Sequence, residues 1–353
     1  MNHYTLVPLV PALYGDWDQF VNRTPGSTFY HLSNWFDLIE DTFGYRQCGI
    51  VQLQDGQIVS GLPLFKKNRF VASGYTSSPF RDRGGILYGN AADPAQVLKK
   101  AIQISQKDNY YLHIKHMNLI DPTIFHELDT IPLRYWVTTQ IDLTVGAEQL
   151  WKRLKNNAQG PVKKAIKNNI KVYPATSIHH VENFYDIFFK NRKILGIPVF
   201  PKMFFLNIWN NPFLNANTRL LLADIEGKTI AGIFLLLHKN TVIDGYAASV
   251  PVYRTLRPND LLIWKSIEWA CSNGFRVFDF GADSPSQTSL LAFKRKWNGV
   301  HKELVHYYYI PDGKALPCFD SSKMNYLIAR RILANLPDKL YHGISRLVIK
   351  RLG

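Results

Sequence analysis

Leu220-Leu221-Leu222-Ala223-Asp224-Ile225-Glu226-Gly227-Lys228-Thr229-Ile230-Ala231-Gly232-Ile233-Phe234-Leu235 reads as two apolar, β-rich runs joined at Glu-Gly. Two such runs around a short glycine-containing turn predict a β-hairpin. An earlier stretch, Val51-Gln52-Leu53-Gln54-Asp55-Gly56-Gln57-Ile58-Val59-Ser60-Gly61-Leu62-Pro63-Leu64, has the same plan and turns on Asp-Gly. Setting Gly56 against Gly227 brings Gly61 onto Gly232, Val59 onto Ile230, Leu62 onto Ile233 and Leu64 onto Leu235. A helix and a strand follow each hairpin. In the first copy Asp93-Pro94-Ala95-Gln96 opens a helix to about Gln106, ahead of the strand Tyr110–Ile114. In the second a helix from about Asp260 to Ser272, closed by Gly274, precedes Phe275–Phe280. Before the first hairpin, Ser33 caps an amphipathic run through Trp35, Phe36, Leu38, Ile39 and Phe43 that ends at Gly44. Chance likeness between hairpins is the competing explanation. The repeated order nevertheless predicts an α/β (α+β) fold of two tandem modules, each a mixed, mostly antiparallel sheet flanked by helices. The expected divisions are 1–146, 147–320 and a tail, 321–353.

A length of 353 residues exceeds one average core, and 46% apolar with 20% charged residues fits a folded soluble protein. Cys48, Cys271 and Cys318 are far apart and form no CxxC pair, which argues against a disulfide framework or a zinc site. Met1-Asn2-His3-Tyr4 lacks the features of a secretory leader, and the most apolar run, Ile230–Leu237, is far short of a spanning helix. A cytoplasmic protein is expected. The net charge of +15 is unevenly placed. Residues 1–146 hold 12 Lys/Arg against 13 Asp/Glu, residues 147–320 hold 23 against 13, and residues 321–353 hold 7 against 1. A neutral half joined to a basic half predicts an anionic partner for the second; plain solubility is the alternative.

Several familiar signatures fail. Gly227-Lys228-Thr229 lies in a hairpin and has Leu222 where a P-loop needs glycine. Asp279-Phe280-Gly281 has no His-Arg-Asp upstream, so a kinase reading fails. There is no GxSxG, HExxH or GxGxxG. His113 and His116 fall on opposite faces of one strand, and His179, His180, His301 and His306 read as polar surface or core residues. No metal is expected.

Three segments remain. Ser78-Pro79-Phe80-Arg81-Asp82-Arg83-Gly84-Gly85-Ile86 joins a charged turn to two glycines that let backbone approach a ligand, or simply lead into a strand. Leu154-Lys155-Asn156-Asn157-Ala158-Gln159-Gly160-Pro161-Val162-Lys163-Lys164-Ala165-Ile166-Lys167 offers lysines to phosphates, or a solvated helix face. The most specific is Phe278-Asp279-Phe280-Gly281, a polar loop from Ala282 to Ser289, then Leu290-Leu291-Ala292-Phe293-Lys294-Arg295-Lys296-Trp297 and a strand through Tyr307-Tyr308-Tyr309. It combines acid, cation and phenol, as acyl transfer requires.

With the duplicated plan, these segments resemble the FemAB-like branch of the GNAT acyltransferases over about residues 20–312. The resemblance implies two GNAT-like lobes and transfer of an acyl or aminoacyl group to an amine on a cell-envelope glycan or peptide, in peptidoglycan or exopolysaccharide synthesis. The donor would be acyl-CoA or aminoacyl-tRNA, with no tightly bound cofactor. The family's Phe-Lys pair falls on Phe293 and Lys294. Lys294 would stabilise the oxyanion or donor phosphate, with Arg295 and Lys296 in support. Asp279 or Asp283 would take the amine proton, and Tyr308 would protonate the leaving group. Arg81, Asp82, Gly84 and Gly85 would line the acceptor cleft. The chain departs from the acyl-CoA pattern where Arg254-Thr255-Leu256-Arg257-Pro258-Asn259 lacks the pyrophosphate glycines and Pro258 removes an amide donor. Arg254 and Arg257 remain candidates for phosphate contact. A non-catalytic protein holding RNA or anionic lipid on a degenerate acyltransferase fold is the rival reading.

The tail 321–353 reads as two basic amphipathic helices, Leu327 to Leu333 beginning one and Leu340, Ile344, Leu347, Val348 and Ile349 marking the other. They would either lie peripherally on an anionic inner leaflet, suiting a lipid-linked acceptor, or pack on the second lobe with their cations in water.

Overall fold

The computed structural model describes residues 4–67, 73–90, 92–116, 122–316 and 324–352. Cys318 and Ser321-Ser322-Lys323 of the tail lie outside the described residues. The chain divides into two compact units, Met1–Trp136 with Glu303–Phe319 and Ile349–Gly353, and Val137–Lys302 with Asp320–Val348. The first boundary therefore falls ten residues before the division at 146/147 read from the sequence, and Glu303–Phe319 returns to the first unit.

In the first unit β1 (Tyr4–Pro8), α1 (Tyr14–Arg23) and α2 (Ser33–Phe43) precede the hairpin β2 (Ile50–Gln54) and β3 (Gln57–Leu62). Then come β4 (Phe65–Lys67), β5 (Gly74–Thr76), β6 (Leu87–Tyr88), α3 (Pro94–Lys107), β7 (Tyr111–His116) and α4 (Pro122–His126). The strand β8 (Ile131–Asp142) leads to the second unit, which runs α5 (Ala147–Arg153), α6 (Asn156–Lys167), β9 (Lys171–Pro174), α7 (Ile178–Ile194), α8 (Lys202–Asn210) and α9 (Pro212–Ala216). It continues with β10 (Thr218–Ile225), β11 (Lys228–His238), β12 (Thr241–Ser249), α10 (Pro258–Ser272), β13 (Val277–Asp283) and α11 (Thr288–Arg295). After β14 (Val300–Tyr309) the chain ends in α12 (Met324–Asn335) and α13 (Asp338–Leu352).

The duplication holds at the level of single residues. Both hairpins turn through two left-handed residues, Asp55 (φ 50°) and Gly56 (φ 77°), and Glu226 (φ 51°) and Gly227 (φ 76°). Two positive φ angles match the right-handed twist of the paired strands. Val51 pairs with Gly61 and Leu222 with Gly232, and each ladder shifts register at the equivalent step, Gln52/Leu53 and Ala223/Asp224. The aligned glycines also share a function. A Cβ on Gly61 would lie 2.5 Å from the Trp17 ring of α1, and one on Gly232 would lie 2.6 Å from the Phe184 ring of α7. In each unit a large aromatic side chain from a helix that precedes the hairpin seats on bare backbone.

Among the described ladders pairing is mostly antiparallel, as expected, and β5 with β7 and β12 with β13 run parallel. In the second unit successive side chains of β11 point to opposite faces of the sheet. Ile233 and Leu235 join a core with Ala158 and Val162 of α6 and Leu261, Trp264 and Ile267 of α10. Phe234 faces the other way, 5.9 Å from Phe184 and 5.8 Å from Phe205 between ring centres. The first unit packs Leu62, Leu64, Val97, Leu112, Phe125 and Tyr307 together. The cap at Asp93 is as read: its carboxylate accepts from the Ala95 amide (3.1 Å) and the Gln96 amide side chain (2.8 Å). Ser33 is not a cap. Leu32 holds that position, and Ser33 instead donates its amide and hydroxyl to Asp18 of α1 (2.9 and 2.6 Å), so a neighbouring helix caps α2.

Introducing a methyl group at Gly232 forces Phe184 from its seat. Gly232→Ala is expected to lose about 1–3 kcal/mol of stability, as overpacked cores do. Paired with Phe184→Leu it should lose less than the sum of the single changes, a coupling readable from urea denaturation of the four proteins.

Candidate active site

The site grows from the place where two parallel strands separate. β12 and β13 pair at Thr241↔Val277, Val242↔Phe278 and Ile243↔Asp279, where their ladder ends. On β12 the ladder to β11 steps from Tyr246 to Asp244, leaving Gly245 as a bulge. On β13 the pairing with β8 shifts between Asp279 and Ala282, and Gly281 adopts φ 71°. The cause is Asp279, whose side chain has no exposed surface. Its carboxylate accepts from Thr138 Oγ1 (2.5 Å), Gln140 Nε2 (2.6 Å) and, by curling the backbone, the Gly281 amide (2.8 Å). The left-handed turn at Gly281 points strand carbonyls at α11. There Lys294 Nζ donates to Phe280 O (2.7 Å), Gly281 O (3.4 Å) and Asp283 Oδ2 (2.6 Å).

Of the residues proposed from the sequence, Lys294 and Asp283 thus form a buried ion pair, and buried Asp279 holds the same strand turn through the Gly281 amide. The sequence reading missed their neighbour, Asp244. Its half-buried carboxyl has no hydrogen-bond donor among the described residues. Burial pushes its pKa up to about 6, Lys294 opposes that rise, and Asp283 and Asp279 add to it. The available sequence signal was a lone acid followed by glycine within the otherwise apolar run Val242-Ile243-Asp244-Gly245-Tyr246. An unpaired carboxyl of this pKa where two strands part can accept and return a proton near neutrality.

The other proposed donor-site residues stand nearby in sequence but in different settings. Lys296 forms a buried ion pair with Asp260, in the first turn of α10, and lies over the Phe293 (4.2 Å) and Trp297 (5.3 Å) rings. Arg295 is exposed, and its Nε donates to His301 Nε2 at 2.9 Å. Arg254 and Arg257 are exposed just before α10, with Arg257 left-handed (φ 66°) and Pro258 at the first helical position. The lysine-rich segment is α6, with Ala158, Val162 and Ala165 inward and Lys155, Lys163, Lys164 and Lys167 exposed.

Tyr308 and the glycine turn belong to the first unit. Tyr308 stacks on His113 (4.1 Å), His113 Nε2 meets His306 Nδ1 (3.0 Å), and His306 Nε2 meets Asp82 O (2.9 Å). Burial, with Lys115 next, drives the His306 pKa down to about 4, which keeps its ring neutral. Lys115 Nζ donates to Ser78 O and Arg81 O, both at 2.6 Å. The Arg81 guanidinium lies 5.5 Å from both the Tyr30 and Trp35 rings, and Asp82 pairs with buried Arg83. Gly84 and Gly85 are buried: a Cβ on Gly84 would meet Ser78 Cβ at 2.8 Å, and Gly85 O meets His31 Nε2 at 2.9 Å. The two glycines serve close packing within the unit. No group of three potential metal ligands occurs among the described residues.

Residues 153–295, which include Asp244, Asp279, Asp283 and Lys294, match the acetyltransferase (GNAT) domain family. That match lies wholly within the second unit. Over most of its length the chain also shares its fold with solved structures. FemX is similar with a TM-score of 0.66 and 12% identity, covering 87% of this chain and 97% of that one. L-PGS from Bacillus licheniformis is similar at 0.58 and 12% identity, over 93% and 98%. A tandem GNAT protein from the clavulanic acid biosynthesis pathway is similar at 0.55 and 11% identity, over 87% and 98%. No curated protein matches the chain.

Two stability measurements test the site. Asp283→Asn leaves the Lys294 ammonium buried without its counter-charge and should lose about 3–5 kcal/mol, whereas Asp283→Asn with Lys294→Met should recover much of that loss. The second concerns Asp244. Because its folded pKa is raised from 3.8 to about 6, the folded state binds more protons than the unfolded between those values, and this contribution to stability falls as pH rises through that window. Asp244→Asn should therefore melt above the wild type at pH 7.5, with the difference shrinking toward pH 4.

Proposed function

We propose that the second unit transfers an aminoacyl group from a charged tRNA to a primary amine on a cell-envelope glycan or peptide precursor. The observation that carries this reading is Asp244, an unpartnered carboxyl with a pKa near 6 at the parting of β12 and β13. The amine nitrogen attacks the ester carbonyl carbon directly, and Asp244 takes the proton that nitrogen gives up. The new C–N bond forms as the C–O bond breaks, and the protonated Asp244 returns its proton to the departing ribose oxygen. No covalent enzyme intermediate is needed, and the charge on the acid is restored in each cycle.

Lys294 and Asp279 act by position. Lys294 spends its ammonium donors on Asp283 and two β13 carbonyls, which fixes the strand end. Asp279 holds the strands apart. The acceptor class rests on the FemAB-like fold, and the acyltransferase class on the GNAT domain. Between the two donors, the first turn of α10 favours tRNA. A coenzyme A pyrophosphate needs free amides at a helix start. Here Pro258 has no N–H, and Asp260 puts its own carboxylate in that turn, neutralised by Lys296. The exposed lysines of α6 with Arg254 and Arg257 suit a longer polyanion.

The test is a mass-spectrometric donor screen of the full chain with charged tRNAs and acyl-CoAs against amine acceptors. Aminoacyl product is expected from tRNA alone. Asp244→Asn should lower kcat by about 10²–10⁴-fold with little change in the KM for donor, and should remove the limb of kcat that rises through pH 6. Acyl transfer from coenzyme A would overturn the donor assignment. Absence of product from every donor, or an unchanged pH profile in Asp244→Asn, would overturn the reading.

A further inference from the structure

The two C-terminal helices are each fastened by one face and bare on another. α12 is held where Arg330 Nε donates to Leu195 O (2.9 Å). Its backbone lies so close to Gly196 that a Cβ there would sit 2.1 Å from Arg330 O. α13 is held by Tyr341, which is fully buried, donates to Ile197 O (2.5 Å) and meets the Phe189 ring edge-on at 5.3 Å. Ser345 and Ile349 are buried with Tyr341 on the same stripe. Lys193 of α7 binds Asp338 where α13 begins.

The outer faces carry apolar side chains that are exposed among the described residues. Met324, Leu327, Ile328 and Ile332 follow helical spacing along α12, and Leu340, Ile344 and Leu347 do so along α13. Their exposures run from 38% (Ile344) to 68% (Met324). Seven of the seventeen exposed large hydrophobic residues found among the described ones thus fall within these two helices. Exposed Arg331, Lys339, Arg346 and Lys350 rise among them, whereas the one acid of the segment, Asp338, is taken by Lys193.

Bare apolar stripes studded with unopposed cations demand a surface that is apolar beneath and anionic above. We propose that α12 and α13 form an interfacial anchor for a bilayer containing anionic phospholipid, with the apolar residues at the acyl boundary and the arginines and lysines on the phosphates. A nucleic acid would answer the cations but leave the leucines and isoleucines in water. Neither helix is long and apolar enough to cross a membrane, so the helices lie along its surface. An anchor of this kind confines the protein to the plane in which a lipid-linked acceptor would be presented, and it does not depend on the reaction proposed for the second unit.

The experiment is cosedimentation of the full chain with vesicles of phosphatidylcholine alone or mixed with phosphatidylglycerol. Binding is expected to the mixed vesicles and to weaken with salt. Two variants separate the contributions: Ile328→Ser with Ile332→Ser and Leu347→Ser, and Arg331→Gln with Arg346→Gln. Each changes exposed side chains only, so melting should match the wild type, and each should weaken partitioning by about tenfold or more. The single change Ile332→Ser provides the same comparison, with a smaller loss, if the triple variant is destabilised. Equal partitioning to neutral and anionic vesicles would overturn the proposal, as would wild-type binding by the apolar variants. So would sedimentation showing that these residues instead drive self-association in the absence of lipid.

Discussion

A carboxylate with no exposed surface must be matched by hydrogen bonds on nearly every lone pair, and Asp279 obtains them from three directions. Two donors come from β8, Thr138 and Gln140, and the third is the Gly281 amide two residues along its own strand. That last bond requires the backbone to reverse locally, which the left-handed glycine permits. Everything distinctive about the site follows from this curl. It ends the parallel ladder between β12 and β13 and turns two carbonyls toward α11. Those carbonyls give Lys294 ligands inside the protein, so that a buried ammonium is tolerated beside Asp283. Asp244 is then left on the far side of the gap with a charge cluster near it and no donor of its own.

The duplicated framework explains why such a gap can exist without collapse. Each unit builds a twisted hairpin whose bare glycine backbone receives an aromatic ring, Trp17 in one and Phe184 in the other. The shared register shift in both hairpins indicates that the repeated unit is a geometry, including its irregularity. In the second unit the sheet is covered by α6 and α10 on one side and by an aromatic layer from α7 and α8 on the other. A sheet held from both faces can lose strand pairing at one end and remain rigid.

The residues expected to carry the chemistry divided according to burial. Lys296 and Asp260 neutralise each other, and Arg295 is engaged with His301, so the basic run of α11 is less available to a ligand than its charge implied. The Arg81–Gly85 turn, read as a place where backbone could approach a ligand or simply enter a strand, is held by His31, Lys115 and His306 from within the first unit. Short motifs of charged residues and glycines predict where a chain bends and what it carries. They do not reveal which of those charges are already satisfied.

The sequence by itself determined the elements and their repetition. Alternation with period two, Asp-Gly and Glu-Gly turns, the Asp93 cap and the glycines at 61 and 232 are local features, set by backbone sterics within a few residues. It also determined the basic second half and the amphipathic tail, since composition and helical spacing need no tertiary contact to be read. Only the tertiary structure decided the site. Asp279 depends on Thr138 and Gln140, some 140 positions away in the chain, and Lys294 depends on a carboxylate beyond the polar loop. Asp244 acquires its raised pKa because burial removes water and supplies no donor in exchange. The state of an ionisable group is fixed by what surrounds it in space, and that information appears only once distant segments have met.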